Sequence, residues 1–490
     1  MKVIVVGSGF GGISAATLLA KDGFEVTVLE KNEQAGGRAS VYSEKGYNFD
    51  MGPSWYLMPD VYEKYLAELD KKPEDLYQLD RLDPSYRVFF GDEKVVDVAS
   101  DIEKNYELFE SFEEGGAEKL KKYLATSKEV YDFSIDEMLY RDYTSILDFI
   151  NGKLMLKGYK LRIWENLQHY VNNQFKSDEA RKIVQYSIGF LGGSPKNTPS
   201  FYHIMSHIDL TLGVFYPQGG IRKVVSSMKE LAETYGVEFK FNEPVENFEV
   251  EDHQIKKVVT NKGTYEADIV LVNADYPFTE IELIDPENQT YNEEYWEKKI
   301  LAPSALVAYL GIDHEVDKLT HHNLFLDKDW EAGFETLFDP EKVAWPENPS
   351  YYVNVPSKTD KSAAPEGTDT LFILVPLAPG IEDTKILREQ LYNKIMDDLE
   401  KKVGEKIREH IIVKRIFALT DFKERYNAYK GTALGLSHTL MQTALWRPAH
   451  MSKKIKNLYY SGHYTHPGIG VPMVLISSQI VAKEIKERHG

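Results

Sequence analysis

Residues 1–40 read MKVIVVGSGFGGISAATLLAKDGFEVTVLEKNEQAGGRAS. Val3-Ile4-Val5-Val6 is an unbroken apolar run, the pattern of a parallel strand buried on both faces. It ends in Gly7-Ser8-Gly9-Phe10-Gly11-Gly12, where glycines 7, 9 and 12 meet G-x-G-x-x-G. In such a turn the first glycine permits the reversal, the second lets backbone approach a pyrophosphate, and the third lets helix pack on strand. The helix that follows, Gly11 to Lys21, presents its first N–H groups to phosphate, and Gly23 ends it. A second strand, Glu25 to Leu29, delivers Glu30 18 residues after Gly12, where a ribose hydroxyl is held. Strand, glycines, helix, strand and acid in this order predict a βαβ dinucleotide site.

The rest of the composition narrows what that site can serve. At 490 residues the chain exceeds a single ordinary domain of about 100–200 residues, so two to four structural units are expected. A net charge of -19 argues against a nucleic-acid partner, which clustered cations would have to hold. The chain has no cysteine, so disulfides and thiol chemistry are excluded and any redox work falls to a bound cofactor. The first strand begins at Lys2, which leaves no room for a secretory leader and favours the cytoplasm. No run of 18 apolar residues is present, so no spanning helix is expected and peripheral attachment stays open.

After Glu30 comes Lys31-Asn32-Glu33-Gln34-Ala35-Gly36-Gly37-Arg38. This resembles the extended signature of the FAD-binding flavoprotein superfamily that includes amine oxidases and carotenoid desaturases. The resemblance implies FAD, with the Gly-Gly-Arg loop beside the pyrophosphate and the ribityl chain. It also implies a cofactor domain woven from separated segments. A helix from Arg222 to Tyr235, short alternating runs after it, and a buried strand from Ala267 to Val272 fit the return to the sheet. In related flavoproteins the residue at Val245 reaches the adenine through its backbone, and Asn273-Ala274-Asp275 closes the strand near the cofactor. A last strand, Asn457 to Ser461, leads through a glycine-rich loop into a helix from Val471 to Glu487, whose positive end suits the electron-rich edge of a flavin. The expected fold class is α/β: a Rossmann-like domain of the amine oxidase/glutathione reductase type made of 1–75, 216–290 and 415–490. A mixed, mostly helical substrate domain of 76–215 and 291–414 is interleaved with it.

Other stretches resemble the bacterial-type phytoene desaturase family. They are Asp50-Met51-Gly52-Pro53-Ser54-Trp55, Tyr216-Pro217-Gln218-Gly219-Gly220, the segment from Val355 to Pro376, and DFKERYNAYKGTALGLSHTLMQTALWRP with Gly431, His438, Gln442, Arg447 and Pro448. The terminal signature of that family corresponds to residues 462–472, and His463 and Tyr464 stand where small residues are usual. The resemblance assigns to the cofactor Gly7, Gly9, Phe10, Gly11, Gly12, Glu30, Lys31, Gly36, Gly37, Arg38, Gly52, Pro53, Ser54, Trp55, Val245, Asn273, Gly462, His463, Gly470, Val471 and Pro472. It assigns no acid or base and no metal.

The resemblance further implies a polyene hydrocarbon such as phytoene. Such a substrate has no acidic proton, so hydride loss to the flavin precedes loss of a proton from the neighbouring carbon. The protein then supplies position, shape and exclusion of water. The chain holds 31 Tyr, 23 Phe and 6 Trp, enough to line an apolar tunnel, although aromatic residues more often fill cores. His466 and His463 are read as braces of the terminal loop ahead of proton relays. His321-His322 lacks a third ligand and is not read as a metal pair. Asn151–Leu167 sets Lys153, Lys157, Lys160 and Arg162 beside Leu154, Leu156, Leu161 and Trp164, a basic island suited to the inner face of a membrane. Two other readings stay open: a carotenoid isomerase or hydroxycarotenoid desaturase of the same fold, and a non-catalytic lipid carrier resembling GDP-dissociation inhibitor.

Overall fold

A computed structural model describes residues 1–92, 94–143, 164–326, 330–339 and 341–490. Strand β1 (Lys2–Val6), helix α1 (Phe10–Lys21) and strand β2 (Glu25–Leu29) form the unit read from the opening sequence. β1 pairs in parallel with β2 on one side and with Ile269–Val272 on the other. Glu238–Lys240 extends the sheet beyond β2 and Leu458–Tyr460 beyond Ile269–Val272, giving five parallel strands drawn from three distant segments. Val3, Val5, Ile269, Val270 and Leu271 are fully buried, as the unbroken apolar runs require of strands covered on both faces.

Helix α1 packs between this sheet, Ile221–Thr234 and the terminal helix Val471–His489. The short runs after Val245 form an antiparallel meander of Val245–Glu251, Gln254–Thr260 and Thr264–Glu266. Together these elements give the Rossmann-like α/β architecture.

The second body is mixed and mostly helical, as expected, and adds a sheet that the sequence does not announce. Helices dominate 102–137 and 167–212, but 291–414 contributes most of a seven-stranded sheet. Its order is Ile411–Phe417, Ser304–Ile312, Asp369–Leu377, Tyr351–Asn354, His322–Leu326, Tyr86–Phe90 and Lys94–Val98. All neighbours are antiparallel except His322–Leu326 beside Tyr86–Phe90. The reason is visible in SALVAYLGI, whose nine residues are all buried. A strand covered on both faces shows no alternation, so its sequence does not declare its period. In space the alternation is strict. Ala305, Val307 and Tyr309 join the core shared with the cofactor half, whereas Leu306, Ala308, Leu310 and Ile312 pack with Leu391, Ile395 and Leu399 of the helix Lys385–Val403. One face of this sheet therefore looks toward the dinucleotide fold.

Candidate active site

The glycine turn is packed so tightly that side chains are excluded. A Cβ on Gly12 would lie 2.0 Å from the carbonyl oxygen of Gly7, and one on Gly11 2.5 Å from Nδ2 of Asn273. The Gly36-Gly37 loop docks on the turn: the Gly36 N–H donates to the Ser8 carbonyl at 2.8 Å, and Gly36 has φ of 111°. Below it, the carboxamide of Asn273 donates to the carbonyl of Ser461 at 2.8 Å, tying two neighbouring strand ends under the turn.

Glu30 is 5 % exposed and accepts four hydrogen bonds. Oε2 takes the N–H and hydroxyl of Ser8 at 2.8 and 2.7 Å, and Oε1 takes the N–H and Nδ2 of Asn32 at 2.8 and 3.0 Å. A carboxylate offers about four acceptor positions, so a ribose hydroxyl must replace one of these donors. The Ser8 hydroxyl, which rotates freely, is the one that can leave. Lys31 turns its ammonium to the Glu424 carbonyl and the Asn427 side chain, and burial lowers its pKa.

Arg38 is the charged group of the site. Nη2 lies 3.5 Å from Oδ2 of Asp275, the guanidinium stands over the Tyr426 ring, and the buried Nε has no hydrogen-bond partner. Burial raises the Asp275 carboxyl to about 6, against the opposing pull of Arg38. An unpaired guanidinium donor beside a glycine cradle into which no Cβ fits matches an anionic, flat cofactor. The residues therefore fit a flavin dinucleotide.

The terminal loop closes the other end. Gly462 and Gly470 have φ of 132° and 110°, and Val471 opens the terminal helix with Pro472 in its first turn. Arg447, fully buried, donates to the carbonyls of Gln442, His463, Tyr464 and Thr465, and burial lowers it to about 10. It braces the loop and leaves a positive charge behind it. His438 receives the Ile469 N–H on Nε2 at 3.0 Å, so its Nδ1 carries the proton and donates to the Tyr202 hydroxyl at 2.7 Å. His466 donates Nε2–H to the Leu139 carbonyl at 3.1 Å, and burial pulls it down to about 3. His463 fills the space over Gly435, with Nε2 buried and unpartnered, and burial holds it well below its usual range. Burial favours the neutral form of both histidines, and Nδ1 of His466, like Nε2 of His463, is buried without a partner.

These parts line one cavity of about 630 Å³, within the range of small-molecule sites. It runs from Pro244 and Val245 past Glu30, Lys31, the glycines and Arg38 to Gly462, His463 and Gly470–Val474. It then continues against the seven-stranded sheet. Leu324, Leu326, Tyr352 and Leu374 form one wall there, and Tyr186, Phe190, Phe201 and Trp330 form others. Gly52, Pro53, Ser54 and Trp55 stand at the junction of the two parts. Phe10, Gly11, Asn273, Val471 and Pro472 also line the cavity, as does every other residue assigned to the cofactor except Gly12, which acts from beneath the turn.

Sequence reasoning missed the supports of the junction. Trp55 stacks on His322, with centroids 4.0 Å apart and planes 5° apart. Tyr352 donates to the Ser54 hydroxyl at 3.0 Å and meets His322 Nδ1 at 2.6 Å. The paired histidines are core groups whose rings meet edge to face with centroids 4.5 Å apart, and His321 is held by Thr359. Behind Tyr186 lies Asp209, whose Oδ2 accepts from both Tyr86 and Tyr186 at 2.8 and 2.9 Å. Burial raises its carboxyl to about 7. No local pattern announces this triad, because its members are 123 and 23 residues apart in the chain.

Comparison with known proteins agrees with this geometry. Residues 10–486 match the family described as flavin containing amine oxidoreductase. The chain belongs to that family. Within it the chain belongs with the carotenoid and phytoene desaturases. It is 44% identical over 486 residues to a carotenoid 3,4-desaturase of Haloarcula japonica, covering 99% of this chain and 98% of that one. It is 31% identical to a zeta-carotene-forming phytoene desaturase of Myxococcus xanthus, over 99% and 93% of the two chains. Among solved structures, putrescine oxidase with bound putrescine superposes with a TM-score of 0.62 at 15% identity, covering 99% of each chain. A Rab GDI from Plasmodium falciparum gives 0.56 at 12%, covering 99% of this chain and 97% of that one. At such identities the likeness is one of fold alone. The flavin-dependent desaturase family makes this chain an oxidoreductase.

Proposed function

We propose that this oxidoreductase uses FAD to desaturate a carotenoid, introducing a double bond next to an existing polyene. The carrying observation is the character of the cavity. Its cofactor part holds the carboxylates Glu30 and Asp275 and the cations Lys31, Arg38 and Arg425, whereas the extension beyond Trp55 is lined, among the described residues, by apolar, aromatic and hydroxyl side chains without a charge. A hydrocarbon fits such a wall and gains from burial there. The span from Val245 to the terminal loop supports a dinucleotide, with adenine at one end and the flavin ring at the other.

A bound flavin would supply hydride-acceptor chemistry: a hydrogen would leave the substrate carbon with the two electrons of its C–H bond. The chain's own residues hold the substrate in contact range and exclude water. Trp55, Tyr186, Phe190 and Tyr352 line the junction, and aromatic rings steady a transient positive charge placed over their faces.

Of the substrates considered, an already conjugated carotenoid is favoured over phytoene, since the 3,4-desaturase is the more similar of the two relatives compared. Docking on the inner face of a membrane supplies so insoluble a molecule. None of the described helices is long and apolar enough to cross a membrane. Trp164, Met441 and Trp446 are 86%, 62% and 41% exposed. Trp164 adjoins Glu165, whose carbonyl receives the Ser200 N–H at 2.7 Å next to cavity-lining Phe201, and Met441 and Trp446 flank cavity-lining Thr443 and Ala444. Most of the basic island, residues 151–163, lies outside the described residues.

The test is anaerobic incubation of FAD-loaded protein with liposomes carrying either phytoene or a conjugated acyclic carotenoid. Bleaching of the flavin with a red shift of the extracted pigment, seen with the conjugated substrate, is the expected result. Reaction with phytoene alone reverses the substrate choice. An isomerised pigment without net bleaching sinks desaturation, and a protein that retains no flavin restores the lipid-carrier reading.

A further inference from the structure

A second group of chemistry-bearing side chains meets at one end of the seven-stranded sheet, on residues that do not line the cavity. Strand Ser304–Ile312 ends there and continues into Asp313 and His314. Helix Lys385–Val403 ends two residues before Glu405, and the turn Ile407–His410 leads into the edge strand Ile411–Phe417. The Asp313 N–H donates to the His410 carbonyl at 3.1 Å, which fixes these segments side by side.

One ligand atom from each of Asp313, His314 and His410 lies within 4.8 Å of the other two. His410 Nδ1 is 2.8 Å from Asp313 Oδ1, and His314 Nδ1 is 3.5 Å from the same oxygen. In a tetrahedral site with bonds of about 2.0–2.2 Å, neighbouring ligand atoms stand about 3.3–3.6 Å apart, so small side-chain adjustments suffice. His314 gives an independent indication. Its Nε2 faces Oε2 of Glu405 at 3.4 Å, while its Nδ1 is buried and makes no hydrogen bond. A carboxylate that takes the N–H of one ring nitrogen leaves the other with a free lone pair, which is how metal-bound imidazoles are oriented. Here that lone pair is on the side of Asp313 and His410.

We propose that Asp313, His314 and His410 bind a divalent transition-metal cation of the zinc class, with Glu405 as the positioning residue for His314. Two imidazoles and one carboxylate favour such an ion over magnesium or calcium, and water completes the coordination. The ion cross-links the end of an inner strand to the turn that launches the edge strand. It stabilises the fold by mass action and is independent of the flavin reading.

The experiment uses the full-length, tag-free chain after chelator treatment, with Zn²⁺ by titration calorimetry and Co²⁺ by visible absorption. One equivalent of Zn²⁺ is expected, with a thermal midpoint that rises with Zn²⁺ concentration and Co²⁺ bands that Zn²⁺ abolishes. H410A and H314A each lose the equivalent, and E405Q weakens it by roughly 10–100-fold. H169A, at an exposed histidine elsewhere, keeps wild-type affinity. Because His410 is exposed, circular dichroism of H410A should match the wild type, so loss of binding is not loss of fold. Absence of a stoichiometric Zn²⁺ equivalent in the wild-type chain, or wild-type affinity in both histidine variants, overturns the site. Wild-type affinity in E405Q removes Glu405 from it.

Discussion

The two parts of the cavity are built by opposite means. The part proposed for the cofactor is shaped by backbone, with glycines at 7, 9, 11, 12, 36 and 37 withholding side chains so that N–H groups and a helix end can meet an anion, and a few charged side chains such as Glu30 and Arg38 stand around it. The substrate part is made of large side chains, with Tyr186, Phe190 and Phe201 from one stretch of the chain and Trp330 from another. Hence a change in the first acts through a clash or a lost donor, and a change in the second through shape and buried polar supports. Variants that confuse the two modes would break the comparison.

The largest effect is expected from G12A. Its Cβ would stand 2.0 Å from a backbone oxygen, a contact that only movement of the turn relieves. We expect a loss above about 4 kcal/mol, among the exceptional single-substitution costs. The measurement is flavin absorbance remaining after gel filtration, with the expected result none. Full retention would show that the turn is not the cradle.

The next effect belongs to the substrate side and is one of pH. Asp209 has a folded pKa of about 7 against an unfolded value near 4, since burial penalises its charge. A raised carboxyl means the folded state binds the extra proton. Its contribution is therefore fully present below about pH 4 and is lost as pH rises through about 7. The difference amounts to roughly 4 kcal/mol at full extent. D209N keeps an acceptor for Tyr86 and Tyr186 but cannot ionise. Denaturant unfolding should show the wild type weakening from pH 4 to 8 relative to D209N, with the variant the more stable at pH 8. Parallel pH curves would contradict a buried, strained carboxyl.

Arg38 gives a smaller loss on the cofactor side. R38A removes the unpaired Nε and leaves Asp275 buried without its cation. A hydrogen bond to a charged group contributes about 1.5–3 kcal/mol, so flavin affinity measured by fluorescence quenching should fall about 10–100-fold. R38K keeps the charge but not the planar fork and should recover only part of it.

The same contrast explains how much the sequence discloses. The βαβ unit is contiguous, and each glycine answers a local need, so Lys2 to Glu30 can be read almost residue by residue. The terminal loop is legible for the same reason. Tyr86, Tyr186 and Asp209 are brought together only by folding, and each alone looks like an ordinary core residue. The wall strand Ser304–Ile312 conceals its period because both faces are covered, which is why the sheet inside the mostly helical second body is not legible in the sequence. Arg447 lies in a family-like stretch, yet its grip on four carbonyls depends on a chain reversal that no spacing announces.

The smallest effect, from Y352F, is also the one that separates shape from chemistry at the junction. The ring stays and the cavity keeps its form, but the hydroxyl linking Ser54 to His322 is lost. Two buried partners are left short of a bond, costing about 1–3 kcal/mol in stability. Since the flavin cradle is backbone and lies outside this pair, flavin affinity should hold within about twofold. Turnover should fall only as far as Trp55, stacked on His322, loosens. If Y352F instead lost flavin as R38A does, Ser54 and Trp55 would act on the cofactor, as the family resemblance implies, and the boundary between the two modes would move to the far side of Tyr352.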